Sequence, residues 1–160
     1  MAILALAAKS SIAQTKFSFS GLDWGDSVAQ ADVKLSVAGF QIPMMDKLGC
    51  KMKKSCTVQF SGPVSGSASF EENRLTEVFV ASSPNSFSDR AAKLRARYGQ
   101  PLQSQQPADN SSFMALTEEL LTLRWADPSG ESLTLTRYGS ILYRSSAANR
   151  ARNLPNEVKF

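Results

Sequence analysis

The residues able to do chemistry are few, and their types narrow what the chain can be. The 160 residues include no histidine. That removes Ser–His and Cys–His nucleophilic pairs and any imidazole-ligated metal site. Cys50 and Cys56 are the two cysteines, set in the run C-K-M-K-K-S-C. Two thiolates alone do not complete a tetrahedral zinc centre. In an oxidising compartment the pair reads as one disulfide closing a small loop; in a reducing one it reads as two free thiols. Closing so short a loop contributes somewhat under about 3 kcal/mol. Glu71–Glu72 and Glu118–Glu119 are adjacent carboxylates. Neighbours along a strand point to opposite faces, so neither is a ready acid–base couple, and both read as solvated turn residues. No phosphate-binding glycine motif occurs; Gly62, Gly66, Gly99, Gly130 and Gly139 read as turn residues. Catalysis through Ser, Lys or Tyr has no motif behind it. No catalytic, cofactor-binding or metal-binding residue is therefore assigned.

Surface chemistry is more informative. Residues 44–54 combine Met44, Met45 and Met52 with Lys47, Lys51, Lys53 and Lys54. Methionines make adaptable apolar contacts, and a lysine cluster attracts an acidic protein or another anionic envelope component. A solvated loop whose lysines serve solubility is the competing reading. Nucleic acid is disfavoured, because no aromatic residues interleave with the lysines. The net charge of +4 is local. Residues 43–56 carry four lysines against Asp46, and 145–160 carry Arg150, Arg152 and Lys159 against Glu157. Without these two stretches and Lys9 the body is slightly acidic. Trp24, beside a glycine turn, and Trp125, in an alternating run, read as core residues rather than ligand-stacking ones.

Met1 to Ala8 is apolar and built of small residues, and Ser11 and Ala13 have the spacing that precedes a signal-peptidase cut. Residues 1–13 are therefore read as the remnant of a signal peptide, and the protein as periplasmic or secreted. A cytoplasmic protein with an N-terminal leader is the alternative. No apolar run approaches the roughly 20 residues of a membrane span.

These residues need a scaffold, and the periodicities supply one. Phe17 to Ser20 alternates like a short strand. Ser27 with Gln30 forms a capping box, and Val28, Ala31, Leu35 and Ala38 make one inward helix face. Gly39–Phe40 fits a Schellman end. Residues 41–55 are expected to be an irregular loop. Cys56 to Phe60, Val64 to Phe70 and Leu75 to Ala81 then read as a three-stranded antiparallel meander with turns at Gly62–Pro63 and Glu72–Asn73. A second helix follows over 87–98, capped by Ser86, with Phe87, Ala91, Leu94 and Tyr98 inward. Arg90, Lys93 and Arg97 face solvent, and Gly99 and Pro101 stop it. Residues 102–111 are a polar linker. Strands are expected at 113–116, 121–126, 133–136 and 141–143, with a turn at 127–130. The order β-α-βββ-α-ββββ gives an α+β fold, an antiparallel sheet with two helices on one face and a possible tandem pseudo-repeat. Residues 17–144 form a single domain, and 145–160 a basic flexible tail or frayed helix.

The segments F-S-G-L-D-W-G-D-S (19–27), F-E-E-N-R-L-T-E-V (70–78) and L-R-A-R-Y-G-Q-P (94–101) resemble the helix-plus-meander unit of two groups of small exported bacterial proteins. These are the outer-membrane assembly lipoprotein BamE (SmpA/OmlA) and the β-lactamase-inhibitor-protein-like domains. The resemblance implies a non-catalytic binding module and carries over no functional residue. The lipid-anchoring cysteine of the BamE type has no counterpart after the apolar run. The sequence thus points to an exported, non-enzymatic interaction domain. A small-ligand binder or enzyme with an unrecognised pocket, and a cytosolic or phage-derived structural protein, are the alternatives.

Overall fold

The computed structural model describes residues 17–81, 87–102, 122–136 and 138–153. The expected signal peptide, the Ser86 cap, the strand at 113–116 and the last residues of the tail lie outside them. The protein is α+β. Its helices are α1 (Val28–Val37), α2 (Met44–Cys50), α3 (Phe87–Tyr98) and α4 (Ser146–Asn153). Its strands are β1 (Ser55–Phe60), β2 (Gly66–Glu71), β3 (Arg74–Val80), β4 (Leu123–Ala126), β5 (Ser132–Leu135) and β6 (Ile141–Arg144).

The six strands form one sheet in the order β1-β2-β3-β6-β5-β4, antiparallel at every junction. Among the described residues each half of the chain thus contributes two helices and a three-stranded meander, and the third strand of each meets the other at the centre. Side chains alternate across a pleated strand, and the register brings Val58, Ala68, Val78, Tyr143 and Leu133 into one row across the sheet. All five are buried. Ala31 and Leu35 of α1 and Ala91 and Leu94 of α3 complete the core over this face.

The helix ends explain where α1 sits. Ser27 accepts a hydrogen bond from the Gln30 amide, and the Gln30 side chain accepts from Ser27 N–H, the reciprocal capping box. Phe40 N–H donates to Leu35 O and Gly39 N–H to Ser36 O, with Gly39 at φ +83°, a complete Schellman end. One cap comes from elsewhere in the chain. Asn73, in the β2–β3 turn, accepts the Val28 amide hydrogen at 3.2 Å. Glu72 and Asn73 both have positive φ, the two-residue geometry that suits strand twist.

Several local expectations change. Phe17 and Phe19 do point inward, but no strand pairing includes them among the described residues. Instead Leu22 N–H closes a turn onto Phe19 O, and the Phe19 ring packs against Phe40, Phe60 and Tyr143. Residues 44–50 are the helix α2, not irregular loop. Gly66 is no turn residue: it opens β2, where the Phe60 ring and the Phe79 carbonyl occupy the space a Cβ would need. Of the two readings of 145–160, residues 146–153 take the helical one, as α4. Ser145 caps it through the Ala148 amide, Ala148 is buried, and Asn149 donates to Ser132 Oγ. Ser132 and Glu77 alternate with core residues, so α4 lies across the opposite face of the sheet from α1 and α3.

Candidate functional site

The methionine–lysine segment is organised by α2. Met, Lys and Leu are good helix formers, and Pro43 stands at the helix start, where its fixed φ is tolerated. Two contacts hold this short helix to the sheet edge. Asp46 accepts the Gln59 amide hydrogen of β1 at 2.8 Å, so the carboxylate covers part of an otherwise open strand edge. At the other end the Cys50 and Cys56 sulfurs lie at disulfide distance, with Cα atoms 5.4 Å apart. A third contact fixes α2 to α1: Lys47 Nζ reaches Asp32 at 2.9 Å.

Between these elements is a cavity of about 550 Å³. Val28, Ala29 and Asp32 form its α1 wall, and Met44, Lys47, Leu48 and Cys50 its α2 wall. Lys51 and Lys53 edge it, and Glu72 and Asn73 of the β2–β3 turn close it. Of the expected surface residues, the cavity gathers Met44, Lys47, Lys51 and Lys53. Met45, Met52 and Lys54 are not among its lining. The methionines face water: Met44 is 71%, Met45 76% and Met52 94% exposed. Lys47 is neutralised by Asp32, and Lys54 lies 3.5 Å from Glu72, both ends of that pair well exposed. Lys51 and Lys53 have no acidic partner among the described residues. The α1 and turn residues of the cavity were not legible as site residues. Val28 carried only a core signal, and nothing local tied Asn73 to the start of a helix 45 positions away.

A second cavity, of about 760 Å³, lies beside Trp24, Leu75 and the start of α4. Trp24 Nε1 and Glu131 Oε2 border it as buried atoms without a hydrogen-bond partner among the described residues. Trp24 is half-buried and packs on the core, while Trp125 is fully core, its indole N–H donating to Gly99 O at 2.9 Å.

Elsewhere, charged groups serve the fold. Lys34 bridges Asp26 and Asp23, and these hydrogen bonds, Asp26 first, hold its ammonium above the usual lysine range. Arg90, expected in solvent, is half-buried and donates to Gly139 O at 3.0 Å; desolvation pulls its guanidinium down from the ordinary value. Arg152 pairs with Glu77, which also accepts from Arg144. No group of three or more His, Cys, Asp and Glu side chains among the described residues is arranged to hold a metal ion, and no described helix is long and apolar enough to cross a membrane. Set against known proteins, the chain matches no family model, no curated protein and no solved structure.

Proposed function

We propose that the chain is a non-enzymatic binding domain of the bacterial envelope, working through the face formed by α2 and residues 51–54. One observation carries this reading. A mostly apolar cavity is lined by Met44 and Leu48 and edged by Lys51 and Lys53, which have no acidic partner among the described residues, and the same segment exposes Met45 and Met52. Apolar side chains clustered in water mark a surface that a partner covers. Uncompensated lysines beside them favour an acidic partner and speed its approach. The resemblance of residues 19–27, 70–78 and 94–101 to exported binding modules supports the same reading. The cysteine pair at disulfide distance fits export weakly, since such bonds persist in oxidising compartments.

The test is affinity capture from a bacterial envelope extract, comparing the unaltered chain with the triple variant Lys51→Glu, Lys53→Glu, Lys54→Glu. The reading predicts a captured component that the variant loses, and that loosens as salt rises because the charges are exposed. Equal capture by both proteins at every salt concentration refutes it.

A further inference from the structure

The partner's chemistry can be stated more closely. We infer that the cavity between α1 and α2 seats two apolar side chains from an acidic, helical segment of a polypeptide, whose carboxylates meet Lys51 and Lys53. The inference rests on the binding face proposed above and specifies what occupies it.

Three observations support a polypeptide over a smaller ligand. The first is the extent of the apolar surface. Met44 and Leu48 line the cavity, but Met45 and Met52 lie outside its lining and are still largely exposed. A compact ligand held in the cavity leaves these two in water, whereas a polypeptide extends beyond the lining. The second is charge. Asp32 and Glu72 are engaged by Lys47 and Lys54, which leaves Lys51 and Lys53 at the edge without an acidic partner among the described residues. Carboxylates complement them. The third is rigidity. The α1 wall is fixed by its own capping box and by Asn73, and the α2 wall by Asp46 on the β1 edge and by the cysteine pair. A cavity whose walls are already held costs less ordering when a segment docks.

The volume admits two apolar side chains of such a segment. About 550 Å³ exceeds what one leucine or phenylalanine side chain fills. Two such side chains four positions apart on a helix lie side by side, one turn from each other, and enter a groove together. The exposed α1 residue Ala29 stands at the wall where they arrive.

The experiment is a selection from a random peptide display library on the immobilised full chain, with counter-selection on Ala29→Trp. That variant fills the cavity from an exposed helix position and leaves every lysine in place. Enriched peptides are then measured by fluorescence anisotropy. The expected result is a set rich in Glu and Asp, with two large apolar residues one turn apart. Binding should weaken at least about tenfold in Ala29→Trp and in Lys51→Glu, Lys53→Glu. Leu48→Arg is a second cavity variant for the case in which Ala29→Trp fails to fold by circular dichroism. Four results overturn the inference: no enrichment over the counter-selected variant; basic or uncharged winners; equal binding by both cavity variants; or cavity-dependent binding of phosphatidylglycerol vesicles or free dodecanoate in place of peptide. Its failure is separable from failure of the binding face itself. Envelope capture that is lost on lysine reversal but untouched by Ala29→Trp keeps the face and removes the cavity from it.

Discussion

At the scale of single residues, the chain keeps most of its polar chemistry for holding itself together. Lys34, Arg90, Arg144 and Arg152 each satisfy a carboxylate or carbonyl, whereas Lys51 and Lys53 at the α2 edge, like Lys93 and Arg95 on α3, have no acidic partner among the described residues. Tyr143 shows how strongly the core acts on one group. Burial pushes its hydroxyl up to about 12, with the neighbouring Tyr98 adding to the rise and Arg97 and Arg90 opposing it. The folded value lies above the unfolded value of about 10. Its contribution is therefore complete below about pH 10 and declines as pH rises towards 12, because the unfolded chain gives up the proton first. The full loss is about 2–3 kcal/mol, from 1.36 kcal/mol per pKa unit. Guanidinium unfolding across this alkaline range should show the decline, and Tyr143→Phe should remove that share of it. An identical alkaline slope in both proteins contradicts this role. Trp125 was readable as core from alternation alone. The part played by Asn73 was not, because a side chain capping a distant helix leaves no local pattern.

At the scale of elements, periodicity was a good guide where it was long enough to be heard. The eleven-residue spacing from Phe87 to Tyr98 delivered α3, with Ala91 and Leu94 buried as expected and Phe87 and Tyr98 packed beside them. The Ser27–Gln30 pair and Gly39 marked both ends of α1. α2 was silent because seven residues span two turns, its Pro43 and Gly49 look like loop punctuation, and its stability comes from packing on β1. Phe17 and Phe19 misled in the opposite sense. Alternation put both rings inward, yet the backbone turns at Ser20, whose φ is +49°. The cysteine pair tests how α2 is held. It closes a loop between positions six apart, for which loop entropy gives about 2 kcal/mol. Cys50→Ser with Cys56→Ser, or the reduced protein, should lose about that much in urea unfolding. Amide exchange in 44–50 should accelerate while the central strands stay protected. Unchanged stability and exchange would show that Asp46 and Lys47 hold α2 without the bridge.

At the scale of the whole molecule, the two halves build one sheet with its third strands at the centre and its two covered edges outermost. α2 covers β1, and Leu102 pairs with Arg124 at β4. One sheet face is core under α1 and α3; the other carries α4. This arrangement gives the α2 side its own cavity, walled by residues that also hold α1, α2 and the β2–β3 turn together, with Lys51 and Lys53 at its edge. The alternation of helix and meander was legible in the sequence. The joining of β3 to β6, and the meeting of α1, α2 and the β2–β3 turn around a cavity, were not, since both depend on contacts distant in sequence. The central claim is that this meeting point is the binding face. Hydrogen–deuterium exchange of the chain, with and without the component captured from envelope extract, tests it most directly. The account predicts new protection in residues 28–32, 44–54 and 72–73, and none over α4 or the cavity beside Trp24. Protection confined to α4, to the exposed strand face around Phe79 or to the Trp24 cavity, with 44–54 unchanged, contradicts it.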